Sequence, residues 1–135
     1  MNFEEMTKLV GDNNKSTKFS DQFVICLCWK ESNFDPNLKN SKSSATGLMQ
    51  ITKGAVDTVN SNTPKGVHFK HADMTDAATN IQCGTYYLDL CVTKLSGVDS
   101  SYGTGPGYSK SIVACEECLK GGKDHTQVCL QKIHK

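Results

Sequence analysis

The chain has no apolar run long enough to cross a bilayer. Its first residues, MNFEEMTKLVGDNN, lack the basic head, apolar stretch and small-residue cleavage site of a Sec signal peptide. Nor is there a charge excess. At a formal +1 over 135 residues, no general attraction to nucleic acid or to an anionic membrane is expected. The basic residues are scattered, without RNP-like aromatics or a helix-turn-helix pattern, so nucleic acid is not expected as a partner. Internal repeats, low-complexity tracts and interdomain linkers are absent too. One domain over residues 1–135 follows, large enough to bury a core.

Cysteine, by contrast, is plentiful. Seven in 135 residues point to an oxidising destination or a metal site, and the odd number leaves at least one thiol free or paired outside the chain. Cys115-x-x-Cys118, followed by His125, Cys129 and His134, has the spacing of a tetrahedral zinc site. The competing reading is one or two disulfides stapling the last two helices. A redox Cys115-x-x-Cys118 motif is a third reading, but no thioredoxin-like βαβ pattern surrounds it. Cys26 and Cys28, two apart on a helix, face different ways and would seek different partners or stay as small apolar groups. Cys83 and Cys91 lie too far apart along one helix to bond each other.

Apolar spacing reads mostly as helix. Asn2 and Glu5 form a capping-box pattern ahead of Phe3, Met6 and Val10, and Gly11 with the polar run after it is expected to end that helix. A second helix starts near Ser20 or Asp21 and runs through Phe23, Val24, Ile25, Leu27 and Trp29. Being apolar nearly all round, it belongs in the centre of the domain. Phe34-Asp35-Pro36-Asn37 breaks it. Thr52 caps a third helix through Ala55, Val56 and Val59. A fourth runs from about Ala77 to Leu95, with Ile81, Leu88, Val92 and Leu95 as its stripe, and Gly97 closes it. After the glycine-rich SSYGTGPGYS, Ile112, Cys115 and Leu119 stripe another helix ending at Gly121-Gly122, and a last short helix carries Val128, Cys129 and Ile133. At most a small hairpin near Ser41 to Ile51 interrupts this α-rich plan. His68 and His71 read as surface-loop residues.

One placement stands out in WKESNFDPNLKNSKSSATGLMQIT. Phe23, Leu27 and Glu31 are spaced four apart and stack on one helical face, so Glu31 emerges among apolar neighbours where the buried helix meets a polar loop. Desolvation there raises a carboxyl pKa. An acid still protonated near neutral pH can donate to a leaving-group oxygen, the first step of glycoside cleavage. Gly47 permits close backbone approach, and Gln50 offers a donor and an acceptor to sugar amide or hydroxyl groups. The bland alternative is a solvated glutamate at a helix end beside four common residues, GLMQ.

Glu31-Ser32-Asn33-Phe34-Asp35-Pro36, Ser41 and Ala45-Thr46-Gly47-Leu48-Met49-Gln50-Ile51 together resemble the signature of the soluble lytic transglycosylases, which have a goose-type lysozyme-like fold. Asp76, Asn80-Ile81, Gly84 and Tyr87-Leu88 resemble a further segment of that family, and Tyr102-Gly103-Thr104-Gly105-Pro106-Gly107 its Tyr-Asn-x-Gly-Pro-Gly loop. The likeness spans about Phe23 to Leu119, a motif-bearing core of roughly residues 20–120. Two departures stand out. Gly103 replaces the asparagine, and the loop from Pro36 to Gly47 is one residue longer, with Ser44-Ala45 in place of Gly-Ala.

The resemblance implies a mainly α lysozyme-like domain with a buried central helix, acting as a monomer on peptidoglycan glycan strands without cofactor or metal. Glu31 would be the single catalytic acid/base. Met49 and Gln50 would line the sugar cleft, Ser41 would lie close to the acid, and Tyr102 would hydrogen-bond near it. A hydrolytic lysozyme (muramidase) would instead need a second carboxylate, with Asp57, Asp73 and Asp76 the candidates by position and Asp35 a loop stabiliser. A non-catalytic peptidoglycan-binding module is the reading from another class. The target polymer places the expected action in the periplasm or cell wall and favours disulfides over zinc. Many cysteines without a Sec signal suggest delivery by another route or an excised domain. An injected antibacterial effector with a cognate inhibitor, a phage-type lysin, and a signal-stripped periplasmic enzyme all fit.

Overall fold

A computed structural model describes residues 1–122 and 126–133 of the chain. Six α-helices follow in order: α1 (Phe3–Asn13), α2 (Asp21–Ser32), α3 (Lys53–Asn62), α4 (Ala77–Thr93), α5 (Lys110–Gly121) and α6 (Thr126–Leu130). A 3-10 turn (His71–Asp73) precedes α4, and a single π turn (Val98–Tyr102) follows it. No strand forms among the described residues. The expected hairpin is reduced to two isolated antiparallel bridges, Lys39 with Thr46 and Thr46 with Ile51.

The helix starts follow local chemistry. Asn2 and Glu5 complete the capping box of α1, and the side chains of Ser20, Thr52 and Asp76 accept hydrogen bonds from the third residue beyond each of them. Such caps are worth about 1 kcal/mol each. Gly11 does not end α1. The helix continues to Asn13, because one glycine costs a helix only about 1 kcal/mol, and Asn14 then ends it with its N–H on the Val10 carbonyl.

α2 is the centre of the molecule. Phe23, Val24, Ile25, Cys26, Leu27 and Cys28 are buried in succession, which requires neighbours all round. α5 and α1 pack directly on it. Burying each large aliphatic or aromatic side chain contributes roughly 1.5–3 kcal/mol, so these residues supply much of the drive to fold. α2 stops before Pro36: Asn33 and Phe34 both take left-handed backbone, at φ 52° and 64°.

Two expected inner residues of α4 face outward. Val92 and Leu95 are exposed, and the buried stripe is Ile81, Gly84, Leu88 and Cys91. Leu95 lies past the last helical residue, so it no longer follows the helical period. Val128 is likewise exposed, and Cys129, Leu130 and Ile133 face inward.

The cysteines settle into disulfides. Cys26–Cys115 joins α2 to α5 and Cys118–Cys129 joins α5 to α6, leaving Cys28, Cys83 and Cys91 as buried thiols. The zinc and redox readings of Cys115, Cys118 and Cys129 are therefore corrected, since a disulfide sulfur has no thiolate to give a metal. Among the described residues no group of three metal-ligating side chains forms; His125 and His134 lie outside them. The two bridges close loops of very different length, 89 and 11 residues. The loop-entropy argument then predicts that Cys26→Ala/Cys115→Ala loses about 4.6 kcal/mol and Cys118→Ala/Cys129→Ala about 2.8 kcal/mol. Denaturant unfolding of both double variants checks the order; equal or reversed losses would contradict it.

Candidate active site

Glu31 sits one residue before the end of α2, with Ser32 behind it. Ser32 is buried, its Oγ 2.8 Å from the Leu48 carbonyl and 3.0 Å from the Cys28 carbonyl, sharing one proton between them. This ties the helix end to the turn made by residues 46–50. The left-handed Phe34 is an unfavourable conformation for a bulky residue, at roughly 1–3 kcal/mol. Its ring is buried edge-on against Trp29 at 4.9 Å, and that packing offsets the cost.

The turn is held from below by one amide. Asn80, on the first turn of α4, accepts from the Met49 N–H at 2.9 Å and donates to the Thr46 and Met74 carbonyls at 2.9 and 2.8 Å. It has no solvent exposure. Gly47 is needed for this approach. Its φ is 79°, and a Cβ there would lie 2.3 Å from both Asn80 Nδ2 and the Met74 carbonyl. His71 adds a clasp from the 3-10 turn, its Nε2 2.7 Å from the Ser44 carbonyl and 3.1 Å from that of Ile51. It is a tie between segments rather than a plain surface-loop residue; His68 is exposed, as expected.

Three tyrosines lead from this turn to the acid. Tyr87, Tyr102 and Tyr108 have successive ring centroids 5.6 and 6.3 Å apart. Tyr102 donates its hydroxyl to the Met49 carbonyl, and Tyr108 donates to Glu31 Oε2. Tyr108 went unrecognised in the sequence, where it is the residue just past a glycine-rich loop. The fold brings it in because Asp99 anchors that loop: its carboxylate accepts from the Gly107 N–H at 3.2 Å and the Ser109 N–H at 2.9 Å. A hydrogen bond from the Ser109 side chain, together with these two, holds the Asp99 carboxyl below the usual aspartate range. Gly103 has a reason in the same contact. A Cβ there would fall 2.0 Å from the Tyr108 ring, so the residue standing in place of asparagine is the one that admits the tyrosine.

Burial raises the Glu31 pKa above the usual 4.5, the Tyr108 hydrogen bond and the Lys30 charge pulling it partly back. Desolvation wins. Burial and the Glu31 charge push Tyr108 far above the ordinary tyrosine range, so it is a neutral donor. Lys30 Nζ lies 5.2 Å from the Tyr108 ring centroid, over its face.

The other expected site residues are distributed unevenly. Gln50 is left-handed at φ 51°. Its Nε2 is spent on the Leu38 and Gly47 carbonyls, at 3.0 and 2.9 Å, leaving Oε1 as an acceptor for a ligand. Gln50 and Tyr102 share the lining of a small recess with Thr52, Tyr87 and Ser101. The Met49 side chain is fully buried in the core and does not line the cleft; its carbonyl is what meets Tyr102. Ser41 is exposed on the loop between the bridged residues Lys39 and Thr46. Asp57, Asp73 and Asp76 are exposed, and Asp76 spends Oδ2 on the Thr79 N–H and hydroxyl. Among the described residues none of the three touches Glu31.

The family model of the transglycosylase SLT domain matches residues 8–115. The chain therefore belongs to the soluble lytic transglycosylase domain family, and its mainly helical fold is of the lysozyme-like kind. Similar solved structures include the 70-kDa soluble lytic transglycosylase from Escherichia coli, at 18% identity and a TM-score of 0.54, covering 96% of this chain and 18% of that one. Another is a complex of the 70-kDa soluble lytic transglycosylase with bulgecin A, at 19% identity and a TM-score of 0.56, over 93% of this chain and 18% of that one. The present chain thus spans about a fifth of the length of either. No curated protein matches it significantly.

The electrostatics give a signed expectation. A raised folded-state pKa means that Glu31 favours stability below the ordinary value of 4.5, an advantage lost as pH rises through the folded value. Glu31→Gln should therefore melt higher than wild type at pH 8 and alike near pH 3. In Tyr108→Phe the carboxyl loses the bond that lowers its pKa, so an NMR titration should place Glu31 higher than in wild type. An unchanged or lower value would remove Tyr108 as its partner.

Proposed function

We propose that the chain cleaves the β-1,4 bond between N-acetylmuramic acid and N-acetylglucosamine in peptidoglycan, as a lytic transglycosylase with Glu31 as its single acid/base. The observation that carries this is the half-buried Glu31 carboxyl, its pKa raised by desolvation, held by Tyr108 at the mouth of the SLT-family turn. In the first half-reaction Glu31 gives its proton to the bridging oxygen. The C1–O bond breaks as the muramyl 2-acetamido oxygen closes onto C1. In the second, the Glu31 carboxylate takes the proton of the sugar's own 6-hydroxyl, whose oxygen displaces the acetamido group from C1. The product is a 1,6-anhydro ring; no water is consumed, and Glu31 ends protonated as it began. One carboxyl serves both steps, so this route needs no second carboxylate.

In this reading Gln50 Oε1 accepts from a sugar hydroxyl or amide, and Tyr102 and the Gly47–Met49 backbone shape the cleft wall. Ser41 meets the glycan at its edge. Two disulfides favour an oxidising place of action, the periplasm or cell wall. Directed to the periplasm of a bacterium, the wild-type chain would lyse the cell and Glu31→Gln would not, which is the test of an antibacterial role.

Mass spectrometry of fragments released from purified peptidoglycan tests the chemistry. Wild type should give anhydro products, lighter by one water than hydrolytic ones, and Glu31→Gln should lower their rate by roughly 10²–10⁴-fold. Reducing-end products would replace the transglycosylase with a hydrolase. Turnover should fall as pH rises through the raised Glu31 pKa, and in Tyr108→Phe that fall should shift to higher pH.

A further inference from the structure

We propose that a basic recess beside Glu31 is a subsite for a carboxylate of the peptide borne by the muramyl sugar. The inference rests on the glycan-cleavage reading and adds to it what the groove selects. The recess, of about 420 Å³, is lined by Lys30, Gly107, Lys110, Ser111, Ala114 and Lys132. The sequence contains no arginine, so its 15 basic side chains are all lysines. Three of them converge here, with no acid in the lining. Among the described residues Lys8 and Lys120 form ion pairs, with Asp12 and Glu116, and Lys110 and Lys132 form none. The nearby Asp99 carboxylate accepts from the Gly107 and Ser109 N–H groups and, among the described residues, forms no ion pair with Lys110 or Lys132.

The cluster is built from parts distant in sequence. Lys30 lies in the last turn of α2, Lys110 opens α5 and Lys132 follows α6. The two disulfides join these same three elements, Cys26–Cys115 holding α2 to α5 and Cys118–Cys129 holding α5 to α6. Like charges gathered on covalently tied elements repel one another, and a bound anion relieves that repulsion. The recess also reaches the reacting group, because Lys30 lies over the ring of Tyr108, which donates to Glu31.

The chemistry of the polymer selects the anion. Its hydroxyl and N-acetyl groups are uncharged. Carboxylates hang from the lactyl ether of the muramyl ring, the ring whose C1–O bond breaks at Glu31. An anionic polymer esterified to the muramyl 6-oxygen would block the ring closure proposed above, so a phosphate at that place is disfavoured in a productive complex.

The test compares kcat/KM on glycan strands of equal length in four forms: peptide-free with the lactyl carboxyls amidated, peptide-bearing, peptide-bearing with carboxyls converted to amides, and peptide-free, likewise amidated, with a phosphodiester polymer. Wild type should prefer the carboxylate form over the peptide-free and amidated forms by roughly three- to tenfold, the scale of a few solvent-accessible charge contacts. Added salt should shrink the preference, and Lys110→Glu/Lys132→Glu, shown folded by its melting curve, should abolish it. A preference that is absent, that survives amidation or the double variant, or that is matched by the phosphodiester form would overturn the subsite. Absence of turnover on every form would instead count against the glycan-cleavage reading. Calorimetric binding of a soluble carboxylated muropeptide against its amidated twin, with Glu31→Gln, then decides the subsite by itself, equal affinities overturning it.

Discussion

A helix without a polar face has to be enclosed on every side, and the enclosure of α2 organises this molecule. α1 and α5 cover its flanks, and the Leu48 segment closes over its end through Ser32. Polar groups can leave such a helix only at its termini. Glu31 lies at one of them, near enough to the core to lose hydration and near enough to the surface to meet a ligand. The perturbed acid therefore follows from the packing. Its cost in stability is set by the same burial that makes the helix central.

What faces the acid is fixed by hydrogen bonds that are fully satisfied within the protein. Asn80 spends its whole amide on three backbone groups of neighbouring segments, and Gln50 spends its nitrogen on two more. A buried amide left short of partners would cost about 1–3 kcal/mol for each missing bond, so alternative turn geometries are penalised. The result is a turn fixed by Asn80 and joined through Tyr102 to the row of tyrosines that reaches Glu31. Preorganisation of this kind lets positioning be settled during folding instead of at binding.

Much of this was legible in the residues themselves. Capping side chains marked the helix starts, continuous apolarity marked the buried helix, and the spacing of Phe23, Leu27 and Glu31 placed the acid. The misreadings have physical causes. Val92 and Leu95 share the helical period of Ile81 and Leu88 yet lie exposed, because period shows only which residues share a face and not where a helix ends or what covers it. The resemblance put Met49 in the cleft with Gln50, but its side chain is buried in the core while Gln50, in left-handed backbone, is not. Tyr108 was invisible because its partner is 77 residues away, and the contact depends on a loop anchored by Asp99. Gly103 read as a lost polar group; in space it is the room the tyrosine occupies.

Cys26 and Cys28 have a consequence for how the chain matures. Both are buried, but only Cys26 joins Cys115. In an extended chain the two thiols would compete for that partner almost equally, being two residues apart. Once α2 is wound they point about 160° apart, and one of them is turned from α5. Helix formation thus acts as a proofreader for oxidation. A chain oxidised before α2 winds would be open to the wrong crosslink, whereas one that folds first presents α5 with a single sulfur.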